Sequence, residues 1–174
     1  DVMDLLARLV DKSLAIMEDT SSRARYRMLE TTRQYAREML LASEETAAFR
    51  NRHLEYFLAY AETAKVKLGG REQAAWLAQL EAEHDNLRAA LEWSQETQPV
   101  LGLRIAGALV DVWDTRGYRN EGRRWLDKTL QATANLNPSP ARVDAMLGAM
   151  AFAVRQSELD VSKQILNESL DLAR

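Results

Sequence analysis

The feature that most restricts the fold of this chain is the stretch from Trp76 to Trp93, where apolar residues recur at alternating spacings of three and four. The repeating residues are Leu77, Leu80, Leu87 and Leu91, with His84 between them. This spacing draws one apolar stripe along a helix. The other side is charged, so neighbouring elements must cover the stripe. We therefore predict one helix over about residues 71–96, packed among other helices.

Composition favours a mainly helical protein. The 174 residues include only seven glycines and three prolines, and residues with high helix propensity are plentiful. A net charge of −3 argues against a nucleic-acid coat protein or a basic membrane-binding protein. The lack of cysteine excludes disulfides and thiolate metal sites. Because no apolar run reaches the roughly 20 residues of a membrane helix, we expect a cytoplasmic protein.

The region before residue 71 is predicted to contain three helices and a hairpin. A short helix covers residues 2–11, and strands at 13–18 and 23–29 form an antiparallel hairpin. The residues predicted to face inward from the hairpin are Leu14, Ile16, Tyr26 and Met28. Helices follow at 30–43 and 46–68, the second with an apolar stripe of Phe49, His53, Tyr56, Phe57, Tyr60, Ala64 and Leu68. Gly69 and Gly70 are expected to end it with a left-handed cap.

Several strings, in a fixed order, resemble one family of bacterial regulators. They are LLARLVDKSL at 5–14, YRMLETTRQYAR at 26–37, RHLEYFL at 52–58, and WL at 76–77 with EHDNLR at 83–88. The match covers most of residues 5–130. This part of the chain is similar to the segment after the nucleotide-binding core in multidomain signal-transduction ATPases, including LuxR-type transcription regulators. The resemblance implies a winged helix that packs on the ATPase core of the parent chain, followed by a helical repeat arm.

The C-terminal region matches itself at an offset of 40 residues. Gly117, Arg119, Gly122, Trp125, Thr129 and Leu130 align with Ser157, Leu159, Ser162, Ile165, Ser169 and Leu170. The pattern resembles the second half of a tetratricopeptide repeat, with one small residue at the interhelix turn and another where two helices approach closely. Two tetratricopeptide-like helix pairs are therefore predicted.

The predicted fold class is mainly α, a partial winged helix with a small β-hairpin followed by α-α superhelical tetratricopeptide-like repeats. Residues 1–44 form the C-terminal part of a winged-helix domain, 45–98 a connecting helical pair, and 99–174 the two repeat pairs. No catalytic, cofactor-binding or metal-binding residues are predicted, and we expect no enzyme activity, because the sequence lacks the common catalytic and phosphate-loop motifs. His53 and His84 lie on apolar stripes and are interpreted as packed core residues.

The favoured function is a non-catalytic regulatory and protein-interaction module of a multidomain ATPase-type transcriptional regulator. A protein, a peptide or a small effector would bind the repeat surface. The residues predicted to contact it are Arg104, Asp111, Asp114 and Arg155.

The alternative function is a DNA-binding winged-helix regulator that uses a basic hairpin. Arg23, Arg25 and Arg27 alternate along one strand and share its outer face. The first helix, however, combines Arg8 and Lys12 with three aspartates, a poor match to a phosphate-lined groove. We therefore expect neither direct nucleic-acid binding nor membrane binding.

Overall fold

The computed structural model describes residues 1–20, 23–137 and 139–155, together with Asp160, Lys163, Ile165 and Asn167; at positions 19, 20 and 23 only the backbone is described. This part of the chain is mainly helical with one two-stranded antiparallel hairpin, which confirms the predicted mainly α class. It divides into two compact units, Asp1–Phe49 and Arg50–Arg174. No described helix is long and apolar enough to cross a bilayer.

The first unit has the order helix, hairpin, helix. It contains α1 (Val2–Asp11), β1 (Ile16–Thr20), β2 (Arg23–Arg27), α2 (Glu30–Leu41) and the first turn of α3 (Thr46–Leu68). The Asp1 carboxylate caps α1 by accepting a hydrogen bond from the Met3 amide at 3.2 Å. The Thr46 hydroxyl donates to the carbonyls of Leu40 and Ser43, which ties the start of α3 to the end of α2.

The first unit buries few side chains. Among its described residues, Ala15 alone is fully buried, at 5% exposure. Large apolar side chains are exposed on several of its elements, including Leu5 on α1, Met17 on β1 and Tyr35 on α2. Much of the order in this unit therefore comes from backbone hydrogen bonds.

In the observed hairpin register, the side chains that share a face differ from the predicted ones. Tyr26 lies opposite Met17, and Ile16 lies opposite Arg27. Directly opposed residues share a face of the hairpin, so Ile16 and Tyr26 point to opposite sides. The prediction that both face inward is wrong, because β1 continues to Thr20 and the pairing differs by one residue from the assumed one.

The second unit is helical throughout its described part. From Arg50 it contains the rest of α3, followed by α4 (Gln73–Ala82), α5 (His84–Thr97), α6 (Pro99–Ala108), α7 (Val110–Arg116), α8 (Arg119–Ala132) and α9 (Pro140–Arg155). Helix α6 is central and packs against α5, α8 and α9, while α8 also packs against α9. The largest fully buried side chains include Trp113, Phe152, Leu54, Leu80, Leu91, Leu103, Ile105 and Leu126.

The stretch predicted as one helix forms two. Glu83, with φ −99° and ψ 8°, ends α4 and precedes α5. Its carboxylate accepts a hydrogen bond from the Asn86 side chain at 2.6 Å, so a local polar contact accompanies the break. The predicted stripe residues Leu77, Leu80, Leu87 and Leu91 are nevertheless buried on both sides of it. Apolar spacing therefore identified the core residues but not the change of helix.

Helix α3 has the predicted bounds but a different buried face. Its buried residues are Leu54, Phe57, Leu58, Ala61, Ala64 and Leu68. Tyr56 and Phe49, both placed in the predicted stripe, are 63% and 45% exposed. That part of the prediction is wrong because α3 carries apolar residues on more than one side, and packing selected the side rich in leucine and alanine.

Two glycines confirm predicted features of the C-terminal region. Gly117 follows α7 in a left-handed conformation with φ 79°, which favours glycine at this turn. A Cβ on Gly122 would lie 2.7 Å from the Trp113 ring and 2.8 Å from the Phe152 ring, so the glycine permits close helix packing. Gly69 and Gly70 have no positive φ, so the left-handed cap predicted there is wrong.

The second copy of the predicted repeat is described only in part. Ser157, Leu159, Ser162, Ser169 and Leu170 lie outside the described residues. Ile165 is described and packs against the same hydrophobic core as Trp125, its counterpart in the first copy.

Candidate nucleic-acid interface

The hairpin of the first unit gathers basic residues on one face. In the antiparallel register, Arg23 lies opposite Thr20, Arg25 opposite Glu18 and Arg27 opposite Ile16. Because residues two apart along a strand point to the same side, the three arginines share one face. Successive arginines along β2 are therefore spaced by about 6.8 Å.

One carboxylate lies within this basic face. Glu18 accepts a hydrogen bond from Arg27 Nε at 2.9 Å and lies opposite Arg25 in the register. The Arg27 and Glu18 side chains are 59% and 41% exposed, so solvent screens the pair. Arg25 and Arg27, whose side chains are described, share this face with one carboxylate, so the described charges leave a positive excess. Such a surface suits a polyanion.

The neighbouring helices of this unit have mixed charge. Helix α1 carries Arg8 beside Asp4 and Asp11, and Lys12 follows it as the C-cap residue. On α2, Arg33 pairs with Glu30 at 2.8 Å, and its charge is thereby balanced. The basic character of the first unit is therefore concentrated on the hairpin.

Three of the four residues predicted to bind a partner on the repeat surface form ion pairs within the chain. Arg104 pairs with Glu62 at 2.7 Å. Asp114 pairs with Arg119 at 2.6 Å and with Arg155 at 3.1 Å, which links α7, α8 and α9. Asp111 is exposed. Asp114 and Arg155 thus lie together and pair with each other, and their contact with a partner stays a prediction.

The two histidines belong to the packed part of the second unit. The His53 ring lies 4.6 Å from the Phe57 ring, and burial lowers its pKa below the usual value despite an opposing hydrogen bond with Asn86. The His84 ring stacks on Tyr118 at 4.7 Å. Both rings therefore have packed environments, as interpreted from the sequence. Among the described residues no group of three or more His, Asp or Glu side chains could hold a metal ion.

Glu121 joins α8 to α5 in a cluster that spacing did not predict. Its two carboxylate oxygens accept hydrogen bonds from Arg88 Nε and Nη2, each at 2.6 Å. The Glu121 side chain is only 12% exposed, and His84 Nε2 lies 3.5 Å away. The hydrogen bonds from Arg88 are the main cause that lowers the pKa of Glu121, against the opposing effect of burial.

Acid is expected to remove the stabilisation that this cluster provides. The pKa of Glu121 is lower in the folded state than in the unfolded state, where it is about 4.3. The pair of Glu121 with Arg88 therefore stabilises the fold at pH values above the unfolded pKa. That contribution is lost as the pH falls from this value through the folded pKa. We expect Glu121→Gln to unfold at lower urea concentration than the parent at pH 7 and to differ less from it in strong acid. An equal difference at both pH values would contradict this assignment.

Comparison with known proteins associates the chain with transcription regulators. It is 40% identical over 131 residues to proteins of Mycobacterium tuberculosis and Mycobacterium bovis that are provisionally named HTH-type transcriptional regulators. The aligned region is 75% of this chain but 15% of each relative, so the chain spans a small part of their length. No family model and no solved structure matches.

These relatives correct two expectations drawn from the sequence. Helix-turn-helix is a DNA-binding motif, so their names oppose a protein-interaction module as the main function and oppose the exclusion of direct nucleic-acid binding. The first expectation rested on the family resemblance and the internal repeat, and the second gave too much weight to the charge of the whole chain and to the aspartates of α1. Binding to a polyanion depends on the local face, and the register gives the hairpin such a face. Taken together, the similarity fits a transcription regulator.

Proposed function

We propose that this chain is part of a DNA-binding transcriptional regulator and that its hairpin contacts the phosphate backbone through Arg23, Arg25 and Arg27. The observation that carries the proposal is the β1–β2 register, in which these three residues share one face. The names of the mycobacterial relatives add independent support. The extended strand lets several guanidinium groups approach one nucleic-acid backbone together.

The proposed contacts supply affinity rather than sequence recognition. Phosphate contacts orient a protein on the duplex, whereas contacts to base edges distinguish sequences. An arginine that binds phosphate releases condensed counterions, which makes the association depend on salt. Glu18 opposes this binding because it pairs with Arg27 inside the basic face. The hairpin therefore acts as a moderate, salt-sensitive anchor for a regulator whose base-reading elements lie elsewhere.

We further propose that the longer protein is a cytoplasmic signal-transduction ATPase regulator of the LuxR type. In this proposal residues 1–44 are the C-terminal part of its winged-helix domain, 45–98 a connecting helical pair and 99–174 two tetratricopeptide-like helix pairs. The four family-like strings support it. The left-handed turn at Gly117 and the close packing at Gly122 support the repeat assignment.

Removal of hairpin charge is expected to weaken DNA binding and flatten its salt dependence. The test is fluorescence anisotropy of a labelled random-sequence duplex titrated with the chain at several salt concentrations. Three phosphate contacts give the parent a log–log slope of about −2.7. The double variant Arg25→Ala/Arg27→Ala removes two contacts and should reduce the steepness by about 1.8.

Two further variants make this result specific to the hairpin. Arg71→Ala/Arg124→Ala removes the same charge from the second unit and should leave the slope unchanged. Glu18→Gln removes the opposing carboxylate and should tighten binding a few-fold. Binding without salt dependence, or equal weakening by both double variants, would reject the hairpin as the contact surface.

A further inference from the structure

A small cavity lies between α3, α6 and α9 of the second unit. Its volume is about 250 Å³, and Gly107, Ala108 and Ala141 contribute the small side of its lining. A Cβ on Gly107 would remain 3.6 Å or more from its neighbours, so the glycine is not required by close packing there. Small residues therefore line one part of the cavity, and long charged side chains surround them.

Two ion pairs line the same cavity. Arg104 on α6 pairs with Glu62 on α3 at 2.7 Å, and Lys65 on α3 pairs with Asp144 on α9 at 2.8 Å. All four side chains are about half exposed. Ion pairs at this exposure stabilise a fold only slightly. Their charges can therefore be shared with a bound molecule at small cost to the protein.

The charge pattern specifies the kind of molecule that complements the cavity. Glu62 and Lys65 are three residues apart on α3, a separation of about 4.5 Å along the helix axis. With Arg104 and Asp144 they place two cations and two anions around one small space. Because these four charges already form two ion pairs, a ligand with a single charge can replace only one partner and leaves that partner unpaired. A compact molecule that carries both an anion and a cation matches both signs, and the small apolar groups accommodate an aliphatic portion.

We propose that this cavity binds an aliphatic α-amino acid in its zwitterionic form. The carboxylate pairs with Arg104, whose planar guanidinium can donate two parallel hydrogen bonds to it. The ammonium group pairs with Asp144, and the aliphatic side chain lies against Gly107, Ala108 and Ala141. This site is separate from the proposed DNA contact, so either proposal can fail without the other.

Isothermal titration with L-leucine tests the proposal directly. We expect binding to the parent chain and no binding of N-acetyl-L-leucine or L-leucinamide, each of which lacks one of the two charges. Arg104→Gln and Asp144→Asn should each weaken L-leucine binding by roughly tenfold or more, since each removes a charge-assisted hydrogen bond. Lys67→Gln is the matched control, because Lys67 of α3 forms a comparable ion pair with Glu72, at the N-cap of α4 and outside the cavity.

The pattern of results decides the proposal even if one variant folds poorly. Circular dichroism of each variant identifies such a case, and amide chemical shifts of the parent then report the site, with expected changes at Gly107, Ala108 and Ala141 on addition of L-leucine. The proposal is overturned if L-leucine produces neither heat nor shifts. It is also overturned if the singly charged analogues bind equally well, or if Lys67→Gln weakens binding as much as Asp144→Asn.

Discussion

Replacement of Trp113 by alanine is expected to lower the free energy of unfolding by about 3–5 kcal/mol. Trp113 is 2% exposed and is the largest fully buried side chain of the described core. Its ring faces Gly122 of α8, at a point where the Phe152 ring of α9 also approaches. Truncation removes the stabilisation gained by transfer of the indole from water to the core, and it leaves a cavity that two packed helices cannot fill. Urea unfolding followed by far-ultraviolet circular dichroism measures the change.

Tyr56→Ala is the matched control for this measurement. Tyr56 is also aromatic and helical, but 63% of it is exposed, so the same truncation is expected to cost within about 0.5 kcal/mol. Equal losses for the two variants would mean that Trp113 does not hold the helices of the second unit together.

The second large effect is expected from the smallest possible enlargement of Gly122. Gly122→Ala places a methyl group 2.7 Å from Trp113 and 2.8 Å from Phe152, which is closer than carbon atoms can approach. Alanine has the higher helix propensity, by about 1 kcal/mol, so propensity alone predicts stabilisation. We expect overpacking to prevail and to lower the free energy of unfolding by about 1–3 kcal/mol.

A double variant distinguishes this clash from any general effect of the substitution. In a Trp113→Leu background the ring carbons that crowd the new methyl group are gone, so Gly122→Ala should cost less than in the parent, a coupling that a double-mutant cycle measures. Gly70→Ala serves as the control, because its nearest neighbour would lie 3.7 Å away. A stabilising Gly122→Ala would contradict the close packing of α8.

Elements with regular spacing and clear ends were predictable from the sequence. The bounds of α1 and α3 agree with the predicted ones, because apolar periodicity and the following turn residues mark both ends. The turn at Gly117 and the close approach at Gly122 also agree, since each position has a physical need for glycine. These features are local, and local chemistry suffices to predict them.

Features that depend on a partner across space were predicted less well. The inward face of the hairpin was wrong because a register that differs by one residue exchanges the two faces. The exposed position of Tyr56 was missed because α3 is apolar on several sides, and only its neighbours determine which side is covered. The pair of Arg88 and Glu121, 33 residues apart in sequence, follows no periodic rule.

The candidate interface likewise combines a local feature that the sequence predicts with a pairing that only the structure reveals. Alternation alone placed Arg23, Arg25 and Arg27 on one side of a strand, whereas the carboxylate that faces them became visible only with the pairing of the two strands. By itself the sequence determined the helical class, the ends of α1 and α3 and the core leucines of α4 and α5, because these depend on spacing along one element. Tertiary structure alone decided which faces are covered and which charges are paired, because those outcomes depend on groups that are distant in the chain and adjacent in space.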